Sequence, residues 1–321
     1  MSLIEQAAKR LEELRQAGVA VPGEALPGTA AGSADPATTL ERAAAQLSAA
    51  QERGSFAPQA RADASRSPSP PGPSAPIVHL DLAALAERGM ITPDSPRSQV
   101  ADEFRVVKRP LLSNATGKGA ASVKNGNLIM VTSSLPGEGK SFTAINLAMS
   151  IAMELDHTVL LVDADVARPS LPKVLGLPAS KGLLDVLVED SIDLRGVLLK
   201  TDVEKLSILP AGTAHARATE LLASDAMNRL LEDMASRYSD RIIIFDSPPL
   251  LVTTESRVLA THMGQIVVVV EALRTPQSAV KQALATIESC PVKMMMLNKG
   301  RTATSGDTYG YGYGYGYGYG H

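Results

Sequence analysis

Leu128-Ile-Met-Val131-Thr-Ser-Ser134-Leu-Pro136-Gly137-Glu138-Gly139-Lys140-Ser141-Phe142 is the stretch from which the fold is read. An aliphatic run, Leu128 to Val131, leads into a glycine-rich loop, and apolar residues at helical spacing continue from Phe142 to Leu155. Strand, loop and helix in this order gather backbone N–H groups and the positive end of a helix dipole around one point, as a chain of phosphates requires. Gly137 and Gly139 would let the backbone approach closely, Lys140 would span the β- and γ-phosphates, and the Ser141 hydroxyl would ligate Mg²⁺. Pro136 through Phe142 is therefore the candidate nucleotide-binding segment. Ser134 stands where such loops usually begin with Gly, but a strand before and a helix after favour a phosphate loop over a chance glycine-rich turn.

Working outward, short aliphatic runs recur at Val159 to Val162, Leu206 to Leu209, Ile242 to Phe245, Ile266 to Val270 and Met294 to Leu297, separated by longer helical patterns. Runs apolar on both faces suit a parallel sheet covered on each side by helices. The expected fold class is α/β, a doubly wound, mostly parallel sheet of the P-loop NTPase type. Two of these runs end in acids: Asp163 and Asp165 after the first, Asp246 after Ile242 to Phe245. C-terminal strand ends in an open α/β sheet converge on one crevice, so three carboxylates and Lys140 could meet around one metal and one triphosphate. A single Asp after a strand is commonly a cap or turn former. Three such acids in order behind a phosphate loop carry more weight.

Composition bounds the rest. With 31 basic and 34 acidic side chains among 321 residues, the net charge of −3 gives no basic footprint for nucleic acid. Cys290, the single cysteine, leaves no disulfide or thiolate metal cluster to build, which suits a cytoplasmic protein. No apolar run approaches the roughly 18–20 residues of a membrane span, so any membrane association should be peripheral, through a partner or a surface helix. Of eleven aromatic residues, six are tyrosines in the last thirteen positions: Tyr309, Tyr311, Tyr313, Tyr315, Tyr317 and Tyr319, each followed by Gly. The core must then be aliphatic, and the repeat lies outside it. Four parts are expected. Residues 1–17 form an amphipathic helix that either folds back or binds a partner; 18–76 is a disordered Ala/Pro/Ser linker; 77–300 is the P-loop domain; 301–321 is a mobile tail. Within the domain, a helical pattern near 101–112 reaches Pro110, which should interrupt or end it.

Ser133-Ser-Leu-Pro-Gly-Glu-Gly-Lys-Ser141, Leu160-Leu-Val-Asp-Ala-Asp-Val-Ala-Arg-Pro169 and Ile242-Ile-Ile-Phe-Asp-Ser-Pro-Pro249 resemble the Walker A, A′ and B motifs of the bacterial tyrosine kinases. More narrowly, 1–15, 102–112 and nearly all of 128–299 resemble the exosortase-associated tyrosine autokinases of exopolysaccharide loci. The resemblance implies ATP and Mg²⁺ as cofactors and a catalytic set of Lys140, Asp163, Asp165 and Asp246. Asp163 would be base or orienter for the incoming phenol, Asp246 the Walker B carboxylate, and Asp165 an outer residue of a metal site shared with Ser141 and Asp246. Asn298 would stand where P-loop relatives contact adenine, or be a strand-end turn former. Ala167 stands where many relatives carry a second Arg. Asp102-x-x-Arg105-x-x-Lys108 takes the place of the family's oligomerising Glu-x-x-Arg-x-x-Arg, with Lys lacking the bidentate fork of Arg.

The resemblance also implies the tail tyrosines as phospho-acceptors, a membrane-embedded polysaccharide chain-length regulator as activator, self-association, and a tyrosine phosphatase that reverses the modification. Glycine at every second position would let several phenols sample one site, and thirteen residues reach about 45 Å at up to roughly 3.6 Å each. Two other readings compete: a partitioning-type P-loop ATPase switch, which carries an extra lysine where this loop has Leu135, and an ATP-gated scaffold whose tail is adhesive.

Overall fold

In a computed structural model the described residues are 77–94, 98–119, 121–189, 191–237 and 241–300. The expected helix at 1–17, the linker and the tyrosine tail lie outside them. In chain order they form β1 (Ile77–Val78), α1 (Leu82–Glu87), α2 (Gln99–Ala115), β2 (Leu128–Ser133), α3 (Lys140–Ala152), β3 (Thr158–Asp163), α4 (Leu171–Leu175), α5 (Leu183–Val188) and α6 (Leu194–Val197). The chain continues as β4 (Leu199–Thr201), β5 (Leu206–Leu209), α7 (Ala218–Leu222), α8 (Asp225–Arg237), β6 (Arg241–Asp246), α9 (Glu255–Ala260), β7 (Gln265–Glu271), α10 (Gln277–Ala285) and β8 (Val292–Asn298). The strands make one sheet in the order β1-β4-β5-β3-β6-β2-β7-β8, parallel except for the β4–β5 pair.

The alternation of side chains along each strand builds two cores. Ile129 and Val131 of β2, Leu161 of β3 and Ile244 of β6 face one side and pack with Phe104, Leu111, Ile145 and Leu147 from α2 and α3. Leu128, Met130, Leu160, Val162, Ile243 and Phe245 face the other and meet Met227, Leu231 and Met234 of α8 and Leu259 of α9. Every residue of β2 is buried, so the run that looked apolar on both faces is covered on both.

Six strands fall where the aliphatic runs placed them. The two that sequence reading missed, β1 and β4, are two and three residues long at one edge of the sheet, too short to display a period. Pro110 neither interrupts nor ends α2, which continues to Ala115. Both Pro110 and Val106, whose carbonyl loses its partner, are exposed, so water can replace the missing hydrogen bond. Lys108 lies on the inward face of α2. Its ammonium ion-pairs with Glu154 and donates to the carbonyl of Ser150 at 2.6 Å, one of the carbonyls left over at the end of α3. Asp102 and Arg105 pair with one another on the exposed side. The three charges of that motif thus point two ways, and the lysine is occupied in holding α2 to α3.

Candidate active site

Two glycines shape the loop after β2. Gly137 and Gly139 hold φ of 86° and 99°, a left-handed backbone open chiefly to glycine, and Gly139 caps α3. A β-carbon on Gly139 would lie 2.0 Å from Nδ2 of Asn298. Glu138 turns inward, with 2% of its surface exposed, and accepts from the backbone N–H of Leu135 at 2.6 Å and from the Thr275 hydroxyl. From the end of β8, Asn298 Nδ2 donates to the Glu138 carbonyl at 2.9 Å. Lys299 Nζ donates to the Gly137 carbonyl at 2.7 Å and lies 3.3 Å from Glu271. The carbonyls of Gly137 and Glu138 and the Glu138 carboxylate are thus held from outside the loop by Lys299, Asn298 and Thr275.

Strand register brings the acids together. β6 lies between β3 and β2, and Asp246 sits opposite Asp163 on one side and Val131 on the other. Asp163 and Asp246 are fully buried, and Asp165 nearly so. Lys140 reaches back from the first turn of α3, its Nζ 2.8 Å from Asp165 Oδ2 and 3.9 Å from Asp246 Oδ1. Ser170 Oγ lies 2.8 Å from Ser141 Oγ and 3.1 Å from Asp246 Oδ2. The backbone N–H of Leu171 donates to Asp163 Oδ2 at 3.1 Å, and that of Arg168 to Asp165 Oδ1 at 3.2 Å.

These surroundings set the protonation of the site. Burial, then repulsion from Asp246, pushes the Asp163 carboxyl up to about 7, against the opposing Leu171 N–H. Burial likewise raises Asp246, although Lys140, Ser141 and Ser170 favour its charged form. Burial opposes the charge on Lys140, but Asp246, Asp165 and Asp163 together outweigh it and hold the ammonium above its ordinary value.

Asp163 Oδ1 and Asp246 Oδ1 are buried without a hydrogen-bond donor. Such oxygens are costly to leave bare. Asp246, with the Ser141 hydroxyl hydrogen-bonded to its carboxylate and one oxygen still without a donor, offers hard oxygen donors of the kind Mg²⁺ takes. Among the described residues no three His, Cys, Asp or Glu side chains make a complete metal site. Mg²⁺ at phosphate sites needs only one or two carboxylates, with phosphates and water completing its shell, so the residues fit.

Gly137 to Ser141, Asp163, Asp165, Asp246 and Asn298 therefore gather at one end of β2, β3, β6 and β8; Pro136 is exposed in the same loop, and Phe142 instead packs against the core. Three contributors were not expected: Ser170, Thr275 and Lys299. Ser170 follows Arg168-Pro169 and Lys299 follows Asn298, so proximity to marked residues was the available signal; nothing in the sequence points to Thr275.

Residues 126–298 match a family model described as an AAA domain. The chain is 28% identical over 225 residues to the tyrosine-protein kinase YwqD of Bacillus subtilis, covering 70% of this chain and 91% of that protein. It is 34% identical over 208 residues to the succinoglycan biosynthesis transport protein ExoP of Rhizobium meliloti, covering 64% of this chain but 25% of that longer protein. Among solved structures, the kinase domain of the Escherichia coli tyrosine kinase ETK superposes with a TM-score of 0.52 at 25% identity, covering 72% of this chain and 97% of that one.

Proposed function

This chain belongs to the bacterial tyrosine-protein kinases within the AAA-domain family, and on that premise we propose that it transfers the γ-phosphoryl group of ATP to the tyrosines of its own C-terminal repeat. The observation that carries the reading is Lys140, held between Asp165 and Asp246 beside a glycine-rich loop, in a chain that ends in six alternating tyrosines. Bound Mg²⁺ would neutralise charge on the triphosphate, held by Ser141 and Asp246 with Asp165 behind them. Residues 136–142 would cradle the phosphates, with Asn298 fixing the loop from the adenine side. Lys140 would move from its carboxylates to the β- and γ-phosphates. Asp163 would accept or orient the proton of the incoming phenol, whose pKa is near 10; a carboxylate near 7 suits that task better than an ordinary one.

The exchange of a Tyr-Gly tail for a phosphorylated one would change charge steeply. Six phosphates add roughly −9 to −12 to a chain at −3. We read this as a switch that loosens self-association and is reset by a phosphatase. Phosphorylated protein should therefore sediment as a smaller species than dephosphorylated protein over a range of concentrations; identical sedimentation would remove the switch. No helix among the described residues is long and apolar enough to cross a membrane. We further propose a peripheral place at the inner membrane through a membrane-embedded polysaccharide regulator, a reading supported by the likeness to a succinoglycan biosynthesis transport protein.

The partitioning-type alternative is disfavoured by Leu135, which stands where that class has lysine, and by a relative matched over most of its length that is a tyrosine-protein kinase. Ending the chain at Asp307 tests the acceptor assignment: phosphate incorporation from labelled ATP should fall by at least about tenfold while nucleotide binding stays. Undiminished incorporation would place the acceptors elsewhere.

A further inference from the structure

A hollow of about 720 Å³ lies beside the segment that holds the carboxylates and plays no part in the chemistry above. Along the sheet the order is β2 with the phosphate loop, β6 with Asp246, β3 with Asp163 and Asp165, and then β5, from whose end Pro210 leads into the hollow. Donor loop, acids and hollow therefore follow one another in the order a phosphoryl transfer needs. One short segment serves both sides. Ser170 and Leu171 contact Asp246 and Asp163, whereas Pro169 and Pro172 on either side of them line the hollow.

The opposite wall is equally fixed. Asp185, 7% exposed, accepts from the backbone N–H of Gly182 at 2.8 Å and of Thr213 at 3.0 Å, and Leu183 N–H donates to the Pro210 carbonyl at 2.8 Å. Burial works against the Asp185 charge, but those N–H groups prevail and hold its carboxyl below the usual range. The hollow is thus a built groove of the size of ordinary ligand sites.

Its lining has two chemistries. Pro169, Pro172, Pro178 and Pro210 offer rigid apolar faces, and Lys173 and Lys181 offer cations. Lys173 has no ion pair among the described residues, and Lys181 pairs with the partly exposed Glu189 at 3.3 Å and also favours the charge on Asp185. An aromatic ring packs on proline faces, and a phosphate suits ammonium groups that line the same hollow. One segment of this chain carries both needs in succession: the repeat from Tyr309 to Tyr319 presents rings, each of which acquires a phosphate once it has reacted. In an extended chain, tyrosines two positions apart share one face, about 6.6 Å from each other.

Resting on the kinase reading above, we propose that this groove seats the Tyr-Gly repeat, with Lys173 and Lys181 forming a phosphotyrosine subsite. A tyrosine already phosphorylated anchors there while a neighbour in the repeat lies at Asp163. The first phosphate then helps the second, and the tail is filled by successive register shifts. Two lysines neutralise about one phosphate, so a heavily modified tail outgrows the subsite, in keeping with its release.

The test compares the full chain with Lys173→Glu/Lys181→Glu, and with Lys118→Glu/Lys124→Glu as a control of equal charge change outside the groove. Fluorescence anisotropy reads binding of two labelled probes, Gly-Tyr-Gly-Tyr-Gly-Tyr-Gly and the same peptide with its central tyrosine phosphorylated. We expect the groove variant to lose about tenfold in affinity for the phosphopeptide and less than twofold for the plain peptide, with the control near wild type. Equal affinity of wild type and groove variant for the phosphopeptide, or equal losses in groove variant and control, would overturn the subsite. Binding needs no turnover, so this outcome is independent of whether phosphoryl transfer occurs. Loss of the kinase reading would show separately, as absence of phosphotyrosine from wild-type protein given Mg²⁺ and ATP.

Discussion

Lys140→Met is expected to abolish autophosphorylation, lowering the rate by at least roughly 10²–10³-fold, the cost of removing a charged group aimed at developing negative charge. The side chain has no structural duty in either core. It extends from the first turn of α3 to Asp165 and Asp246, and is nearly enclosed there. Methionine of similar length would fill its space while leaving three acids without their cation. Burial already favours the protonated forms of Asp163 and Asp246, so the chain should still fold and give an unchanged far-ultraviolet circular dichroism spectrum. Rates within threefold of wild type would show that phosphoryl transfer does not use this lysine.

Asp163→Asn is expected to do two opposite things: to lower kcat by roughly 10²–10⁴-fold, the usual worth of a positioned proton acceptor, and to stabilise the nucleotide-free protein. The second effect follows from the folded-state pKa of about 7, against 3.8 for the free side chain. Between those values the folded chain holds a proton that the unfolded chain has released, so stability falls as pH rises from about 4 to about 7. Asparagine removes that penalty. In EDTA at pH 8 the variant should melt roughly 2–8 °C higher, corresponding to ~1–2 kcal/mol, with the gain shrinking as pH falls toward 4. A variant less stable than wild type at pH 8 would mean that the Leu171 N–H bond to Asp163 outweighs burial and repulsion.

A stable protein would not place two carboxylates side by side in its core unless they served a ligand. This conflict between folding and function is visible in the sequence only as Asp163 and Asp246 at the ends of apolar runs. The fold was largely legible because a central strand such as β2 must be apolar on both faces and a glycine loop must follow it to make room for phosphate. The edge was not. β1 and β4 owe their place to pairing with neighbours, and Leu199 is the only buried residue β4 contributes. Pro110 misled because the rule against proline in helices presumes that the orphaned carbonyl is hidden, and here it faces water.

Within the site, residues that carry charge at strand ends announced themselves, and residues that hold others did not. Glu138 could be placed in the loop but not recognised as an inward strut, because its partner Thr275 is 137 positions away. Ser170 shares a four-residue segment with two groove prolines, and only the folded chain shows that the segment has two faces. Lys108 read as one charge of an oligomerising motif, whereas its burial against Ser150 and Glu154 depends on the packing of α2 on α3.

Phosphate mapping by mass spectrometry on the full wild-type chain, incubated with Mg²⁺ and ATP with and without the proposed membrane activator, decides whether the tail is the acceptor. Phosphotyrosine is expected within Tyr309–Tyr319 and none in the Lys140→Met protein treated alike. ATP hydrolysed to free phosphate with every tail tyrosine unmodified would contradict that expectation.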